Sequence, residues 1–410
     1  MTAPPGGPVA ERTDDNAIPY RAIFWLSCAA FSAAGNFRVV DTMLPAIGDG
    51  FGVSAASASV VVAAYAVTFG ALQLLYGQLG DRYGRLWVAA FSAGAAGFVG
   101  VACAFADSLT MLTVLRGLAG AVAAGIVPTA LAFIGDTVPF DKRQTMLARF
   151  ALGTTSGQIF GQSVGGLLTA YLGWRYTFGF LSLTFAVSAV ALVVEARKRI
   201  RTRPTGPLNL LSGTLGTLAL AKRPNVRLLL VLLFVEGAFG MGTFTFVATH
   251  LREHFGLGYD HIGLLITLNA LGALSYYSVA PYLLRSIGQR GIVGVGGAIL
   301  GLSYAGAAIS NSWIFFIAII YANGLSLYML HNTMQTYGTQ MAPDRRGPGM
   351  SLFASTLFLS QTAGVLLSGF IYAHFSPQLS FLLAAAVLPV LGYAMVRCIR
   401  GNSFSAPGQK

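Results

Sequence analysis

Gly77-Gln78-Leu79-Gly80-Asp81-Arg82-Tyr83-Gly84-Arg85 is a short hydrophilic stretch that separates two long apolar runs. Asp81, Arg82 and Arg85 place three charges within five residues, in a chain in which only 10% of residues are charged. Glycine allows the backbone to turn tightly, and charged side chains keep such a turn out of lipid. The stretch therefore predicts a tight loop between two membrane-spanning helices.

Hydropathy along the whole chain supports a membrane protein. Of the 410 residues, 55% are hydrophobic, whereas soluble domains average about 45–50% apolar and about 25% charged residues. An apolar helix of roughly 20 residues crosses a bilayer. The sequence predicts an all-α membrane protein with twelve such spans, at 22–47, 58–79, 87–106, 109–134, 146–170, 176–195, 228–250, 260–284, 291–309, 313–340, 349–371 and 379–398.

The net charge of +12 has an uneven distribution along the predicted spans. With the N-terminus in the cytoplasm, Arg175 and Arg252 are the only ones of the 26 Lys and Arg residues predicted outside the cell. Arg38 and Arg116 fall within spans, and the other basic residues are cytoplasmic. This asymmetry follows the positive-inside rule. We therefore expect both termini to be cytoplasmic, and we interpret the basic charge as a topology signal, with no nucleic-acid partner.

The two halves of the chain repeat at an offset of about 204 residues. Phe51-Gly52-Val53 aligns with Phe255-Gly256-Leu257, and Gly84 aligns with Gly288. The repeat predicts two pseudo-symmetric six-helix bundles, at 22–195 and 228–398. Residues 196–227 form a basic cytoplasmic linker, of which 208–220 is apolar enough to lie on the membrane surface. Residues 1–21 and 399–410 are predicted cytoplasmic tails.

The opening stretch, in the order G-x-L-G-D-R-x-G-R, resembles the signature loop between helices two and three of the major facilitator superfamily. That family is known for paired halves with a substrate path between them near the membrane midplane. The resemblance implies a conformational gate formed by Gly77, Asp81, Arg82, Gly84 and Arg85. It also implies that Asp81 sits against the N-terminus of the eleventh helix, near Gly349, where a carboxylate gains about 0.3–1 kcal/mol if exposed.

Two further spans resemble motifs of the family's drug:proton antiporters. In span four, Leu112-x3-Arg116-x3-Gly120-Ala121 resembles a motif whose Arg is linked to proton transfer, although Ala119 replaces the usual Gln. Span five resembles the antiporter motif G-x3-G-P-x2-G-G, with a glutamine in place of the proline. Its residues are Gly157, Gly161, Gln162, Gly165 and Gly166. Close helix packing by small residues would also explain this spacing.

Charged residues within membrane spans are costly, by about 2.5–3.5 kcal/mol, and mark candidate functional sites. Arg38 and Asp41 are three residues apart, on one helical face of span one. Arg116 lies at a similar depth and is predicted to join them in one network. Glu236, in span seven, has no basic residue within one turn. We expect Asp41 or Glu236 to carry a coupling proton; the alternatives are a permanent salt bridge for Asp41 and a neutral, hydrogen-bonded acid for Glu236.

Polar residues in several spans are candidates for the wall of a substrate cavity. A lone His within a helix is more often a packing residue, which is the alternative for His331. The predicted cavity residues are Asn36, Gln158, Asn269, Asn323, Tyr328, His331, Asn332, Gln335 and Gln361.

The sequence contains no G-x4-G-K-[ST] loop for nucleotides and no convergent catalytic set, so we expect neither an ATP-driven pump nor an enzyme. Cys28, Cys103 and Cys398 are too scattered for a disulfide framework or a metal site.

The resemblance implies a monomeric secondary transporter of the inner (plasma) membrane that exports drug-like or amphipathic compounds in exchange for protons, without other cofactors. Symport or uniport of a polar metabolite is an alternative. A membrane sensor or scaffold that has lost transport is a third.

Overall fold

The fold is known from a computed structural model, which describes residues 18–199 and 210–404. Twelve long helices fill these ranges, and each predicted span overlaps one of them. The first six are α1 (Tyr20–Phe51), α2 (Val60–Tyr83, preceded by the single turn Ala55–Ala58), α3 (Arg85–Ala104), α4 (Leu109–Ala123 and Ile126–Thr137), α5 (Phe140–Tyr171) and α6 (Trp174–Arg197).

The second six helices begin after the linker. They are α7 (Pro224–Phe255), α8 (Tyr259–Ser286), α9 (Gly288–Ile309), α10 (Phe315–Gly338), α11 (Arg346–His374) and α12 (Pro377–Arg400). All but α5 are long and apolar enough to cross a membrane by length and composition alone. At 32 residues α5 is long enough, but Asp141, Lys142, Arg143 and Arg149 lie near its start.

The helices pack as two six-helix bundles whose contacts repeat. In the first bundle α1 packs on α5, α2 on α4 and α3 on α6; in the second α7 packs on α11, α8 on α10 and α9 on α12. The turns repeat as well, since Gly52 and Gly256 end equivalent helices with φ of 67° and 68°. A left-handed φ of this kind costs little for glycine alone. Between the bundles, α2 packs on α11, α5 on α8 and α1 on α7.

Two faces of the molecule are distinguished by their loops. The "basic face" carries Tyr20, the linker and the loops at 84, 138–139, 287 and 339–345. The "opposite face" carries the loops at 52–54, 105–108, 172–173, 256–258, 310–314 and 375–376. The two faces are used below to describe where the molecule is open and where it is closed.

The described part of the linker lies across the basic face. Its short helix, Leu210–Leu218, coincides with the apolar part of the linker that the sequence predicts at the membrane surface. Gly213 of this helix packs against the side chain of Gln78 from α2. Arg345, just before α11, donates to the carbonyl oxygen of Gly216 at 2.9 Å. The linker helix therefore contacts both bundles. The predicted linker residues 200–209, and 1–17 and 405–410 of the predicted tails, lie outside the described residues.

Candidate functional site

A cavity of about 280 Å³ lies between the two bundles. Both bundles contribute to it, because α1, α2, α4 and α5 line one side and α7, α8, α10 and α11 the other. Lining residues nearer the basic face, such as Gln335, are exposed, whereas Gln162 and Gln361 at the other end are buried. The cavity therefore opens toward the basic face. The end of α8 at this face agrees with an opening, because most residues from Tyr277 to Ser286 are exposed.

Contacts between the bundles close the opposite face. The phenol of Tyr259 in α8 donates to Oδ2 of Asp49 in α1 at 3.2 Å. About two helical turns further along α8, Thr267 shares a hydrogen bond with Ser163 of α5. The backbones of Gly166 and Gly263 approach so closely that a Cβ on either glycine would collide with the other helix. The small residues of α5 therefore allow close contact with the second bundle on the closed face, as well as close packing within the first bundle.

Arg38 and Asp41 form the ion pair that their spacing predicts. Nη1 of Arg38 lies 3.3 Å from Oδ2 of Asp41, and both side chains are largely buried. The other carboxylate oxygen accepts a hydrogen bond of 3.1 Å from Thr245 in α7. The carboxylate therefore joins one bundle to the other, beside the cavity and beneath the closed face.

Arg116 has different partners from those that the sequence predicts. It is fully buried, and its guanidinium donates from Nη1 to Oδ1 of Asn36 and from Nη2 to the backbone oxygen of Asn36 at 3.1 Å. It also lies 4.3 Å above the ring of Tyr65. Similar depth does not fix how two helices are rotated, and the rotation of α4 directs Arg116 to Asn36. The predicted network is therefore two separate clusters, with Asp41 near Arg116 but not bonded to it.

Glu236 has a partner in space although none is near in sequence. Its Oε2 lies 3.0 Å from Nδ1 of His331 in α10, and its Oε1 is buried with no hydrogen-bond partner. Glu236 begins a π-helical segment, Glu236–Gly242, within α7; such segments are frequent at functional sites. The expectation of an unpartnered acid is thus corrected by a residue 95 positions away, which also lines the cavity.

The other predicted cavity residues separate into two groups. Gln158, Asn269, Tyr328, His331, Gln335 and Gln361 line the cavity. Asn36, Asn323 and Asn332 are not among its described lining residues. Asn36 holds Arg116, and Asn323 accepts a hydrogen bond of 3.0 Å from Asn269. Oε1 of Gln361 is buried without a partner, so this amide keeps a free acceptor at the cavity wall.

The helix-five motif lies along the surface that α5 shares with α1. A Cβ on Gly157 or Gly161 would collide with the backbone of α1 at Phe31 or Gly35. Gly165 approaches Val39 and Thr42 of the same helix. Gln162, which replaces the family's proline, lines the cavity and lies near Asp41. This substitution therefore adds a polar group to the cavity wall at the ion pair.

The gate loop has a different contact from the expected one. Asp81 is ion-paired with Arg85 at 3.0 Å, and Arg85 also binds Asp136 at the end of α4 at 2.7 Å. The side chain of Asp81 is 64% exposed. A contact with the N-terminus of α11 near Gly349 is the expected arrangement when the basic face is closed. Here the basic face is open, so Asp81 is held by its own loop, and the expected contact is not the one present.

Three contacts were not predicted from the sequence. Thr245 bonds to Asp41, Asp136 extends the gate ion pair, and Arg223 forms two hydrogen bonds of 2.7 Å with Asp344 at the linker. Threonine is an ordinary residue in an apolar helix, so Thr245 gives no signal by itself. Asp136 follows a long apolar run in a chain with few acids, and that is a signal that sequence reasoning could have used.

Taken together, the paired bundles and the central cavity open to one face define a carrier that moves small molecules across membranes. The family model described as "Major Facilitator Superfamily" matches this chain over residues 26–258 and 229–409. The two matches together reach all twelve helices. The chain belongs to this superfamily, as its gate loop predicts, and it is a membrane transporter rather than an enzyme.

Individual relatives agree with this assignment. The "Uncharacterized MFS-type transporter YwfA" of Bacillus subtilis is 26% identical over 382 residues, covering 90% of each chain. The "Putative multidrug resistance protein MdtD" of Cronobacter sakazakii is 23% identical, covering 84% of each chain. Among solved structures, a bacterial homologue of the human lysosomal transporter Spinster, described as inward-facing and occupied, superposes with a TM-score of 0.75 at 16% identity, covering 96% of this chain and all of that one.

Proposed function

We propose that the chain is a proton-coupled secondary transporter that exports drug-like or amphipathic compounds by alternating access, through rocking of 22–195 against 228–398. The distribution of basic residues supports a cytoplasmic basic face under the positive-inside rule. The proposal places the protein in the inner (plasma) membrane with both termini cytoplasmic. The proposal needs no cofactor beyond the proton and a single chain. Similarity to MdtD, a protein named for multidrug resistance, supports export of such compounds.

One observation carries the coupling proposal, namely the carboxylate of Asp41 between the two bundles. It accepts from Arg38 of its own helix and from Thr245 of the other bundle. A protonated carboxyl group loses the ion pair with Arg38 and one acceptor position. Protonation therefore weakens a contact that holds the opposite face closed. A ligand shifts two conformations only if it binds them unequally. The proposal therefore requires that opening of the opposite face breaks the contact between Asp41 and Thr245 and so changes the proton affinity of Asp41.

The test uses purified full-length protein in liposomes that contain a pH-sensitive dye, under an imposed proton gradient. Panels of lipophilic cations, neutral antibiotics and small organic acids are added outside. We expect one class to trigger proton movement in the wild type and the Asp41→Asn variant to lose it. Asp107→Asn, in an exposed loop of the opposite face, is the control and should behave like the wild type. Undiminished coupling in Asp41→Asn would show that the proton is carried elsewhere, with Glu236→Gln as the next variant.

A second candidate is symport or uniport of a polar metabolite. It is favoured by the cavity wall, which has Arg38 and His331 but no Asp or Glu among its described lining residues. Proton-linked export of cations commonly needs an acid that the cation and the proton can share. In the liposome assay, proton entry that accompanies substrate entry indicates symport. Labelled substrate that crosses without proton movement indicates uniport, and either result would exclude the antiport proposal.

A further inference from the structure

The charged side chains that line the cavity are basic rather than acidic. Among the described lining residues, Arg38 and His331 can carry positive charge, and no lining residue is acidic. Asp41 and Glu236 lie behind these two residues, with side chains that are 3% and 0% exposed. A compound in the cavity therefore meets the basic residue of each pair before the acid.

The hydrogen-bonding capacity of Arg38 is only partly used. A guanidinium has five N–H donors, and one recorded bond joins Nη1 to Asp41. Both carboxylate oxygens of Asp41, in contrast, already accept bonds, from Arg38 and Thr245. The planar guanidinium presents its donors in a fork that matches the geometry of a carboxylate. Arg38 can thus receive a second carboxylate without first leaving Asp41.

His331 offers a second polar atom from the other bundle. Its Nδ1 is engaged with Glu236, which leaves Nε2 as the ring nitrogen for another partner, and the side chain is 12% exposed. Gln361 adds an amide at the wall whose oxygen is buried without a partner. The polar side chains thus converge on the cavity from α1, α10 and α11.

The remaining wall is aromatic. Phe358 contacts Phe37 and Phe69, with ring centroids 5.2 and 4.5 Å away, and Phe244 lines the cavity from α7. Aromatic side chains bind flat apolar groups over large areas. The volume of about 280 Å³ lies just below the usual range for ligand pockets, about 300–1,000 Å³. A ligand of one or two rings with one polar group matches this size and lining.

We propose that the cavity binds small aromatic compounds that carry a carboxylate, in preference to neutral or cationic compounds of the same shape. The carboxylate contacts Arg38 and His331, and the ring system packs on the phenylalanines. The inference rests on the proposed transport function and concerns which compounds bind, whichever way they are moved. It makes Arg38 a specificity-determining residue.

The experiment measures binding to the full-length protein in detergent with three probes that share one ring system: 1-naphthoate, 1-naphthamide and 1-naphthylmethylamine. Equilibrium dialysis should give a dissociation constant for naphthoate at least about tenfold lower than for the other two, within the range for charge-assisted hydrogen bonds. The Arg38→Gln variant should lose this preference while binding naphthamide as the wild type does. Arg175→Gln, at the exposed start of α6, is the matched control and should keep the preference.

Each contrary outcome overturns the proposal. Tighter binding of the amine would show that the buried acids determine selectivity, and equal binding of all three would assign it to the phenylalanines alone. No binding of naphthoate would also contradict it. If Arg38→Gln does not yield folded protein, the wild-type ranking still decides, together with Arg38→Lys, which should keep a reduced preference. A wild type that selects naphthoate but moves no protons in liposomes would contradict only the coupling proposal.

Discussion

Asn36 shows how a single side chain determines where a buried charge can be placed. Arg116 is completely buried and donates two hydrogen bonds to this residue, one to the side-chain oxygen and one to the backbone oxygen. Its Nε is already without a partner. A buried cation with few acceptors is sensitive to the loss of any one of them, because it has no water to replace it.

We therefore predict that Asn36→Ala destabilises the protein by about 1.5–3 kcal/mol, the usual value for a hydrogen bond to a charged group. The measurement is the apparent Tm of detergent-purified protein, followed by tryptophan fluorescence. Asn311→Ala, in an exposed loop of the opposite face, should leave the Tm almost unchanged. Equal melting of the two variants would mean that Arg116 does not depend on the side chain of Asn36.

At this scale the sequence predicts local pairs and misses distant ones. The pairing of Arg38 with Asp41 follows from a spacing of three residues on one helix. The partners of Arg116 and Glu236 lie 80 and 95 residues away. Their identity depends on how each helix is rotated about its axis, which hydropathy does not specify. Roles in proton coupling and substrate binding remain predictions for all of these residues.

At the scale of elements, the contact between α1 and α5 is made of backbone on backbone. Gly157 and Gly161 face Phe31 and Gly35 with no room for a Cβ. The equivalent contact in the second bundle, α7 on α11, is built in the same way around Gly364 and Ala238. Because the hydrophobic effect does not favour association of helices within lipid, transmembrane helices associate through close packing of this kind. These contacts should therefore make each bundle move as one unit.

The substitution Gly157→Ala should force α1 and α5 apart and destabilise the protein by about 1–3 kcal/mol, the usual cost of overpacking. Gly179→Ala is a matched control, because a Cβ at this position in α6 meets nothing within 4 Å. We expect the control to melt at the wild-type temperature or slightly above, since alanine favours helix. Comparison of the two Tm values checks the prediction, and it fails if Gly157→Ala melts like Gly179→Ala.

The positions of the helices are predictable from the sequence, but their irregularities are not. Runs of about 20 apolar residues locate all twelve helices, because burial in lipid requires them. The break in α4 at Ala124–Gly125 and the π-helical segment of α7 fall within continuous apolar runs. Hydropathy is the same for an α-helix and for a π-turn. The break in α4 and the π-helical segment of α7 can therefore be recognised only when the backbone hydrogen bonds are known.

At the scale of the whole molecule, the sequence does not specify which face is open. It predicts two bundles and a path between them, but a transporter visits several conformations with one sequence. The structure shows the opposite face closed where α5 meets α8 and α1 meets α7. The position of Asp81 belongs to the same conformation, since its expected contact with α11 requires the basic face to close.

A cysteine pair at Ser163 and Thr267 tests whether this closure must open during transport. The two hydroxyl groups are in hydrogen-bond contact across the bundles, so cysteines there should form a disulfide when oxidised. In a background with Cys28, Cys103 and Cys398 replaced, we expect the oxidised double variant to lose substrate movement in liposomes and a reductant to restore it. Each single cysteine variant should be unaffected by oxidant. Undiminished transport by the cross-linked protein would mean that α5 and α8 need not separate there.

The closed opposite face also has an electrical consequence. Asp41 and Asp49 are eight residues apart in α1, so the closed layer of protein between them, called the seal here, is about 12 Å thick. The hydrocarbon core of a membrane is about 30 Å thick. A water-filled cavity conducts ions, and the membrane voltage therefore falls mainly across the seal. One elementary charge that crosses the full voltage gains about 2.3 kcal/mol per 100 mV. A proton that reaches Asp41 from the cavity crosses little of this voltage, whereas one that arrives through the seal crosses most of it.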